Sequence, residues 1–464
     1  MSVSSSHGQS LNVPSPNGKL LAGVVQGSRV IVRLVPSLAV HGIYSAVDRV
    51  ESVAWNATGS LLLGVVLSQG VVHVWSMQDP DWVCRIDAGS EGLNTAYFHP
   101  RHPRLMFTVS DFDLRVQLWS FDGLLMCFTN VQALPKPSHD HSLAALIVGT
   151  ESGSQIIVGD ISGPSGFDIV AAPHLNRSFG KCELIATLER GRFVVMESRG
   201  SEKCMYLIDT LRGVGMKECQ LSPLEGRVCE SSGGVLAIGC ADESVELFVI
   251  RSGLESLGSI SIKCPTVTIV NGHPIILRES LGADASVKDR NLFHLGGANT
   301  RGLPVAYREL VPDEGPIRSL GRIQIPSTES TSRHPSNLPI GGVCKLRMSM
   351  NGEWLAIQTD EKASVVFVIH IPKLMVVSIL VHRQPVRDFD WSISEGSVQL
   401  GVVSGDPWLH VWRPYLNCVT VPMKDLSMRP HQLQWTKTGQ QAILSDNQCV
   451  CCVSIEGGVN EHGG

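Results

Sequence analysis

Two short clusters are the residues that most invite a chemical reading. His139-Asp140-His141 places two imidazoles and a carboxylate together, and alternate residues on a strand would turn both imidazoles to one face. The cluster lies in a Pro- and Ser-containing loop with no second ligand pair nearby. A closed metal site takes four ligands, so a solvated loop is the plainer reading. Cys449, Cys451 and Cys452 crowd together near the C-terminal end, again without a Cys or His pair at zinc spacing. They read as core thiols on a strand. No nucleophile elbow, P-loop or dinucleotide fingerprint occurs. With 5 Tyr, and no His or Glu recurring at matched positions, no acid-base set converges. These observations point away from an enzyme, and they call for no cofactor and no metal.

The elements that must position these residues are short strands. Glu51 to Leu93 sets the pattern: Val53-Ala54-Trp55, a turn at Asn56-Ala57-Thr58-Gly59, an apolar run from Leu61 to Leu67, and a second turn at Ser68-Gln69-Gly70. Val71 to Ser76 follows, and after Asp79-Pro80 comes Trp82 to Ile86. Four strands in about forty residues cannot bury both faces of their own sheet, and stacking on similar sheets is the available solution. Radial stacking into a propeller leaves only short edges.

The same unit recurs. Pro14 to Val35 precedes it, and Asn94 to Phe128 follows it. A weaker unit runs through Leu143 to Gly149, Gln155 to Asp160 and Phe167 to Ala171. Two more start at Cys182 and Gly226, and three further units start at Val343, Val386 and His431. No Trp occurs between Trp119 and Trp354, so the middle units must fill their aromatic positions with other residues. The expected fold is all-β, a WD-repeat β-propeller of about eight or nine four-stranded units. One continuous toroid is the favoured arrangement, and two smaller rings the alternative.

The expected organisation is a disordered N-terminal segment at 1–10, six blades over 11–263, an insertion or degenerate blade with a flexible tip at 264–340, three blades over 341–456, and a disordered tail at 457–464. The last unit lacks a fourth strand of its own. The Ser-rich N-terminal piece is the available candidate to close it, although its composition marks this only weakly. Strand-like pieces stand out in the insertion at Thr266 to Val270, Ile275 to Arg278, Val305 to Leu310 and Arg322 to Pro326. Ser327 to Ser336 reads as a flexible tip, or as a docking segment controlled by phosphorylation.

Composition agrees with many strands and many turns: 43% hydrophobic, 17% charged, 45 Gly and 25 Pro in 464 residues. A net charge of −5 gives no basic footprint, so nucleic acid is not an expected partner. No run reaches the roughly 18 apolar residues a membrane helix needs, and Met1 to Ser10 has no apolar core of a leader peptide. The expectation is a soluble intracellular protein with no membrane insertion. Its 13 Cys read as reduced core thiols, and the sequons at Asn56 and Asn176 then carry no weight.

Among the aromatic residues, Trp55, Trp391 and Trp435 end first strands and read as blade packing. Trp82 follows Asp79-Pro80-Asp81, and Trp408 follows Gly405-Asp406-Pro407, so both stand just beyond turns. They are candidates either for packing or for contact with a partner protein, because exposed aromatics anchor interfaces. Arg85 and Arg387 are the accompanying candidate rim contacts.

Third strands end in Val74-Trp75-Ser76, Leu118-Trp119-Ser120 and Val411-Trp412-Arg413, which resemble the WD dipeptide with its Asp replaced. In the common repeat that Asp supports a His–Ser/Thr–Trp hydrogen-bond chain. Its replacement implies blades held mainly by packing. Gly70 to Ser76, continuing through Pro80 to Asp87 and Gly89 to Leu93, resembles the centrosomal and spindle-pole WD-repeat family, the WD-repeat protein eight family. Leu114 to Ser120 and Pro385-Val386-Arg387-Asp388-Phe389-Asp390-Trp391 carry the same resemblance, as does a long insertion before the last three units. It covers units one to three and seven to nine.

The resemblance implies a non-enzymatic scaffold at the microtubule-organising centre (centrosome, spindle pole or basal body). There it would bind a coiled-coil centrosomal anchoring protein, hold microtubule minus ends, and support spindle and cilium assembly. A minus-end-directed kinesin would join the complex in fungi. The alternative is a WD-repeat adaptor of another complex, such as a ubiquitin-ligase substrate receptor or a trafficking scaffold.

Overall fold

The structure, a computed structural model, describes residues 2–4, 7–88, 92–110, 115–137, 141–150, 153–170, 181–188, 192–199, 202–209, 214–220, 226–250, 254–262, 266–270, 275–281, 305–309, 320–324, 342–392, 398–414, 418–425, 427–436 and 439–455. Nine four-stranded antiparallel units, numbered here as blades 1 to 9, take up most of these residues. They divide between two compact units, Gly8–Pro223 with Arg251–Leu254, and Met1–His7 with Leu224–Ile250 and Glu255–Gly464.

The first unit holds blades 1 to 5. Blade 1 is Ser10–Pro14, Leu20–Val25, Arg29–Leu34 and Val40–Ser45; blade 2 is Ser52–Trp55, Leu61–Val66, Val71–Ser76 and Val83–Asp87. Blade 3 is Thr95–Phe98, Leu105–Val109, Val116–Ser120 and Gly123–Phe128. Blade 4 is Val131–Pro137, Leu143–Thr150, Gly153–Asp160 and Asp168–Ile169; blade 5 is Lys181–Thr187, Arg192–Arg199, Glu202–Asp209 and Val214–Gln220.

The second unit holds the rest. Blade 6 is Gly226–Ser232, Val235–Cys240, Ser244–Ile250 and Leu254–Ser261; blade 7 is Val343–Met348, Trp354–Thr359, Val365–His370 and Met375–Val381. Blade 8 is Asp388–Trp391, Leu400–Val403, Trp408–Trp412 and Val419–Pro422. Blade 9 is Gln432–Trp435, Gln441–Ser445 and Cys449–Ser454, with Ser2–Val3 as its fourth strand.

Burial along each blade shows why the sheets stack. Second strands such as Leu61–Val66 and Trp354–Thr359 are buried almost throughout, whereas first strands such as Ser52–Trp55 and Asp388–Trp391 alternate. Fourth strands such as Val83–Asp87 are mostly exposed. Only a sheet covered on both faces buries consecutive residues of a strand, because successive side chains point to opposite sides.

In blades 1, 2 and 7 the turn after the first strand repeats one device. The residue that ends the strand is polar, and its side chain accepts backbone N–H groups of the turn: Ser15 Oγ from Leu20 at 2.9 Å, Asn56 Oδ1 from Leu61 at 3.0 Å, Ser349 Oγ from Trp354 at 2.9 Å. A glycine at positive φ completes the reversal, at 70° for Gly18, 71° for Gly59 and 70° for Gly352. Side chains of this kind mimic a backbone turn, and glycine meets no steric cost there.

Neighbouring blades are tied as well as packed. Trp55 Nε1 donates to the Val13 carbonyl at 2.9 Å, Trp391 Nε1 to Arg347 at 2.8 Å, and Trp435 Nε1 to Asp390 at 3.0 Å. Each bond runs from the end of one first strand to the first strand of the preceding blade. Packing was expected to be the main tie between blades, and these bonds add to it. A fragment of the Ser/Thr–Trp link also survives in blade 3, where Trp119 Nε1 donates to Thr108 Oγ1 at 2.8 Å. In blade 2, Gly64 stands opposite His73, and Trp75 lies over it so closely that an added Cβ would fall 2.7 Å from the ring.

One expectation about organisation is corrected. Segment 1–10 was expected to be disordered, yet Ser2 and Val3 pair with Ser454 and Val453. Ser4 adds two bonds, its N–H to the Cys452 carbonyl and its Oγ from the Cys452 N–H, both at 2.9 Å. The backbone of a third strand with no fourth strand of its own demands this partner whatever the side chains are.

The strand Met375–Val381 is not the last of its sheet. Instead Ile275–Leu281 lies parallel to it, with Leu277 opposite Leu380, and Val305–Glu309 pairs on the far side. The described part of 264–340 therefore extends blade 7 to six strands, and Thr266–Val270 pairs separately with Leu320–Gln324. Ser327 to Ser336 and 457–464 lie outside the described residues.

Candidate functional site

The four residues singled out from the sequence fall on blades 2 and 8. Trp82 precedes the fourth strand of blade 2, its N–H bonded to the Asp79 carbonyl at 3.2 Å. It is half-buried, and its ring packs on Phe121 with centroids 5.3 Å apart, against the apolar cluster shared by blades 2 and 3. Arg85 is exposed three residues further on, opposite His73. Burial lowers the His73 pKa, and the Arg85 charge lowers it further.

Arg387 and Trp408 meet around one turn. Arg387 is exposed, its side chain lies against Gly405, and its N–H is bonded to the Val403 carbonyl at 2.8 Å. Trp408 is half-buried at the start of the third strand of blade 8, opposite Pro422. The Gly405-Asp406-Pro407 turn thus carries both residues at its rim. Trp82 and Trp408, however, occupy different strand positions in their blades.

A broader feature surrounds the blade-2 candidates. Fourth strands of blades 1 to 4 present large apolar side chains to solvent: Ile43 at 61% exposure, Val83 at 51%, Leu124 at 48%, Leu125 at 50% and Ile169 at 63%. These strands end their sheets among the described residues. An exposed sheet edge offers backbone groups and apolar side chains together, which is the chemistry of strand addition by a partner.

The clusters that suggested metal chemistry separate. His139 and Asp140 lie outside the described residues, and His141 is exposed at a φ of 52°. Cys451 and Cys452 are buried free thiols on the third strand of blade 9, both pushed up to about 12 by burial. Neutral thiols of this kind pack as small apolar groups. Asn56 is wholly buried with its amide oxygen committed to the turn, so its sequon has no structural meaning.

One cluster had no signal in the sequence. Glu279, His382 and His410 are all buried, with one potential ligand atom from each lying within 4.8 Å of the others. His382 Nδ1 is 3.7 Å from Glu279 Oε2, and the His382 and His410 rings have centroids 5.0 Å apart. Burial pushes the Glu279 carboxyl up, but the His382 hydrogen bond, the His410 and His382 charges and the Arg383 N–H outweigh it, leaving about 2. Burial takes His410 down to about 3, with Glu279 opposing and His382 adding to the fall. The three residues come from an inserted strand, the end of blade 7 and the middle of blade 8, so no local spacing announces them.

Comparison with known proteins places the chain among propellers. No protein-family model matches it. It is similar to the mouse WD repeat-containing protein WRAP73, 25% identical over 471 residues that make up 94% of this chain and 92% of that protein. This similarity supports a WD-repeat assignment.

A crystal structure of the eukaryotic initiation factor superposes with a TM-score of 0.50 at 11% identity, over 90% of this chain and 89% of that one. Sqt1 of Saccharomyces cerevisiae gives 0.47 at 10% identity over 97% of both chains. The C-terminal WD40 domain of Sif2 gives 0.46 at 9% identity, again over 97% of both. Likeness at such low identity concerns fold alone. The nine four-stranded antiparallel sheets make this an all-β propeller of nine blades.

Proposed function

We propose that this protein is a non-enzymatic WD-repeat scaffold of the microtubule-organising centre, at the centrosome, spindle pole or basal body. On this reading it captures a coiled-coil anchoring protein, holds microtubule minus ends beside it, and supports spindle and cilium assembly. A minus-end-directed kinesin belongs to the same complex in fungi. The observation that carries the scaffold reading is the row of exposed apolar residues, Ile43, Val83, Leu124, Leu125 and Ile169, on sheet edges. Exposed apolar side chains on an open sheet edge offer a partner strand both backbone bonds and apolar contact. The organising-centre reading draws support from the resemblance of Gly70 to Ser76, Pro80 to Asp87, Gly89 to Leu93, Leu114 to Ser120 and Pro385 to Trp391 to the centrosomal family, while the similarity to a WD-repeat relative over nearly the whole chain supports the WD-repeat scaffold.

Affinity capture with the full chain as bait tests it. Recovery of a coiled-coil centrosomal component together with microtubule minus-end proteins is the expected outcome. Recovery of ubiquitin-ligase or coat subunits in their place would move the protein to the adaptor class of another complex.

A further inference from the structure

The trio Glu279, His382 and His410 is a costly arrangement for a purely structural core. It lies beside an apolar cluster that includes Leu277, Leu380, Val402 and Trp412, and the side chains of Glu279 and His382 are fully buried. His410 is likewise wholly buried. Removing polar and ionised groups from water is unfavourable unless each finds compensation. Glu279 Oε2 has its partners, the Arg383 N–H at 3.0 Å and His382 Nδ1. Glu279 Oε1 accepts no hydrogen bond among the described residues.

An ion pair between Glu279 and His382 engages only one oxygen of the carboxylate, Oε2, and leaves Oε1 unbonded among the described residues. A divalent cation accounts for all three. It draws on a carboxylate oxygen and one lone pair from each ring, and its charge offsets that of Glu279. The surroundings suit ligation. The hydroxyl of Thr420 stands 3.5 Å from His410 Nδ1, where it can orient the ring as an outer partner of a ligating imidazole. The backbone of His382 is pinned by its N–H to the Ser364 carbonyl at 2.9 Å.

We infer that Glu279, His382 and His410 form a three-ligand, open-type site for a zinc-class divalent transition ion. Two imidazoles and a carboxylate suit zinc, with the fourth position left to water. Its ligands come from three elements: the inserted strand Ile275–Leu281, the residue following Met375–Val381, and the strand Trp408–Trp412. The ion would therefore clip the inserted strand to blades 7 and 8, and its binding energy would appear as folding stability.

The test uses the full chain, stripped with chelator in reducing buffer and titrated with Zn2+ and, separately, with Co2+. The inference expects stoichiometric binding, a rise in Tm on adding Zn2+, and a cobalt spectrum of nitrogen and oxygen ligation without a thiolate charge-transfer band. Glu279→Gln and His410→Gln should each weaken binding by at least about tenfold. Absence of binding with an unmoved Tm, a thiolate-type cobalt spectrum, or folded variants that bind as the parent does would each overturn it. Should either variant fail to fold, the cobalt spectrum and Tm shift of the unaltered chain still decide.

Discussion

Trp391, at the end of the first strand of blade 8, donates its indole N–H to the carbonyl oxygen of Arg347 in the first strand of blade 7 at 2.8 Å. The ring is 3% exposed and lies edge-on to Trp412. The side chain thus does two jobs, and substitution separates them. Trp391→Phe keeps an aromatic body and strands a buried carbonyl, lowering stability by about 1–2 kcal/mol. Trp391→Ala also opens a cavity, at about 3–5 kcal/mol. Urea unfolding of both variants measures the difference; a Phe variant as stable as the parent would show that the bond contributes nothing.

Lys362 Nζ lies 2.9 Å from Glu243 Oε2, and the two side chains are only 7% and 3% exposed. The pair joins the turn after Cys240 in blade 6 to the turn after Thr359 in blade 7. Breaking a buried pair from one side leaves an uncompensated charge, so Lys362→Met should cost about 3–5 kcal/mol. Lys362→Met combined with Glu243→Gln should recover much of that loss. A double-mutant cycle read by chemical denaturation checks the coupling.

His99 is wholly buried, and Nε2 sits 2.8 Å from the Gly166 carbonyl while Nδ1 accepts the His102 N–H at 2.9 Å. Burial takes its pKa down to about 4, with the Gly166 bond opposing and His102 and His141 adding to the fall. An unfolded histidine titrates near 6.5. Between these values the unfolded chain binds the extra proton, so this group's stability is present above the upper value and is lost as pH falls through the lower one. His99→Asn should flatten the slope of unfolding free energy against pH over that window. An unchanged slope would contradict the assignment.

Trp82 and Arg85 separate packing from recognition on blade 2. The Trp82 ring rests on Phe121, so Trp82→Ala should lower stability by about 1–3 kcal/mol. Exposed Arg85 and Arg387 should tolerate alanine within about 0.5 kcal/mol while weakening partner capture. If Arg85→Ala and Arg387→Ala both capture the partner as the parent does, neither belongs to the interface.

Blades 1, 2 and 7 were readable because each repeats a local grammar. A polar residue (Ser15, Asn56 or Ser349) ends a strand, a glycine reverses the chain, and an apolar run follows. The middle blades have no Trp and use Phe167, Phe193 and Tyr206 in their cores, which carry less positional signal. The Trp–carbonyl ties were invisible because they depend on how one blade registers against the next.

Closure of blade 9 by Ser2–Val3 runs through backbone groups, so a Ser-rich composition marked the candidate strand only weakly. The buried trio was hidden for another reason. Glu279 becomes a neighbour of His382 only because Ile275–Leu281 aligns parallel to Met375–Val381, a pairing that no nearby residue pattern encodes.

The scaffold reading at an organising centre is tested most directly by fusing the full chain to a fluorescent protein and following it through division beside an organising-centre marker. The account predicts one or two foci next to the nucleus that move with the spindle poles and persist at basal bodies in ciliated cells. A diffuse or vesicular signal that never meets the marker would contradict it.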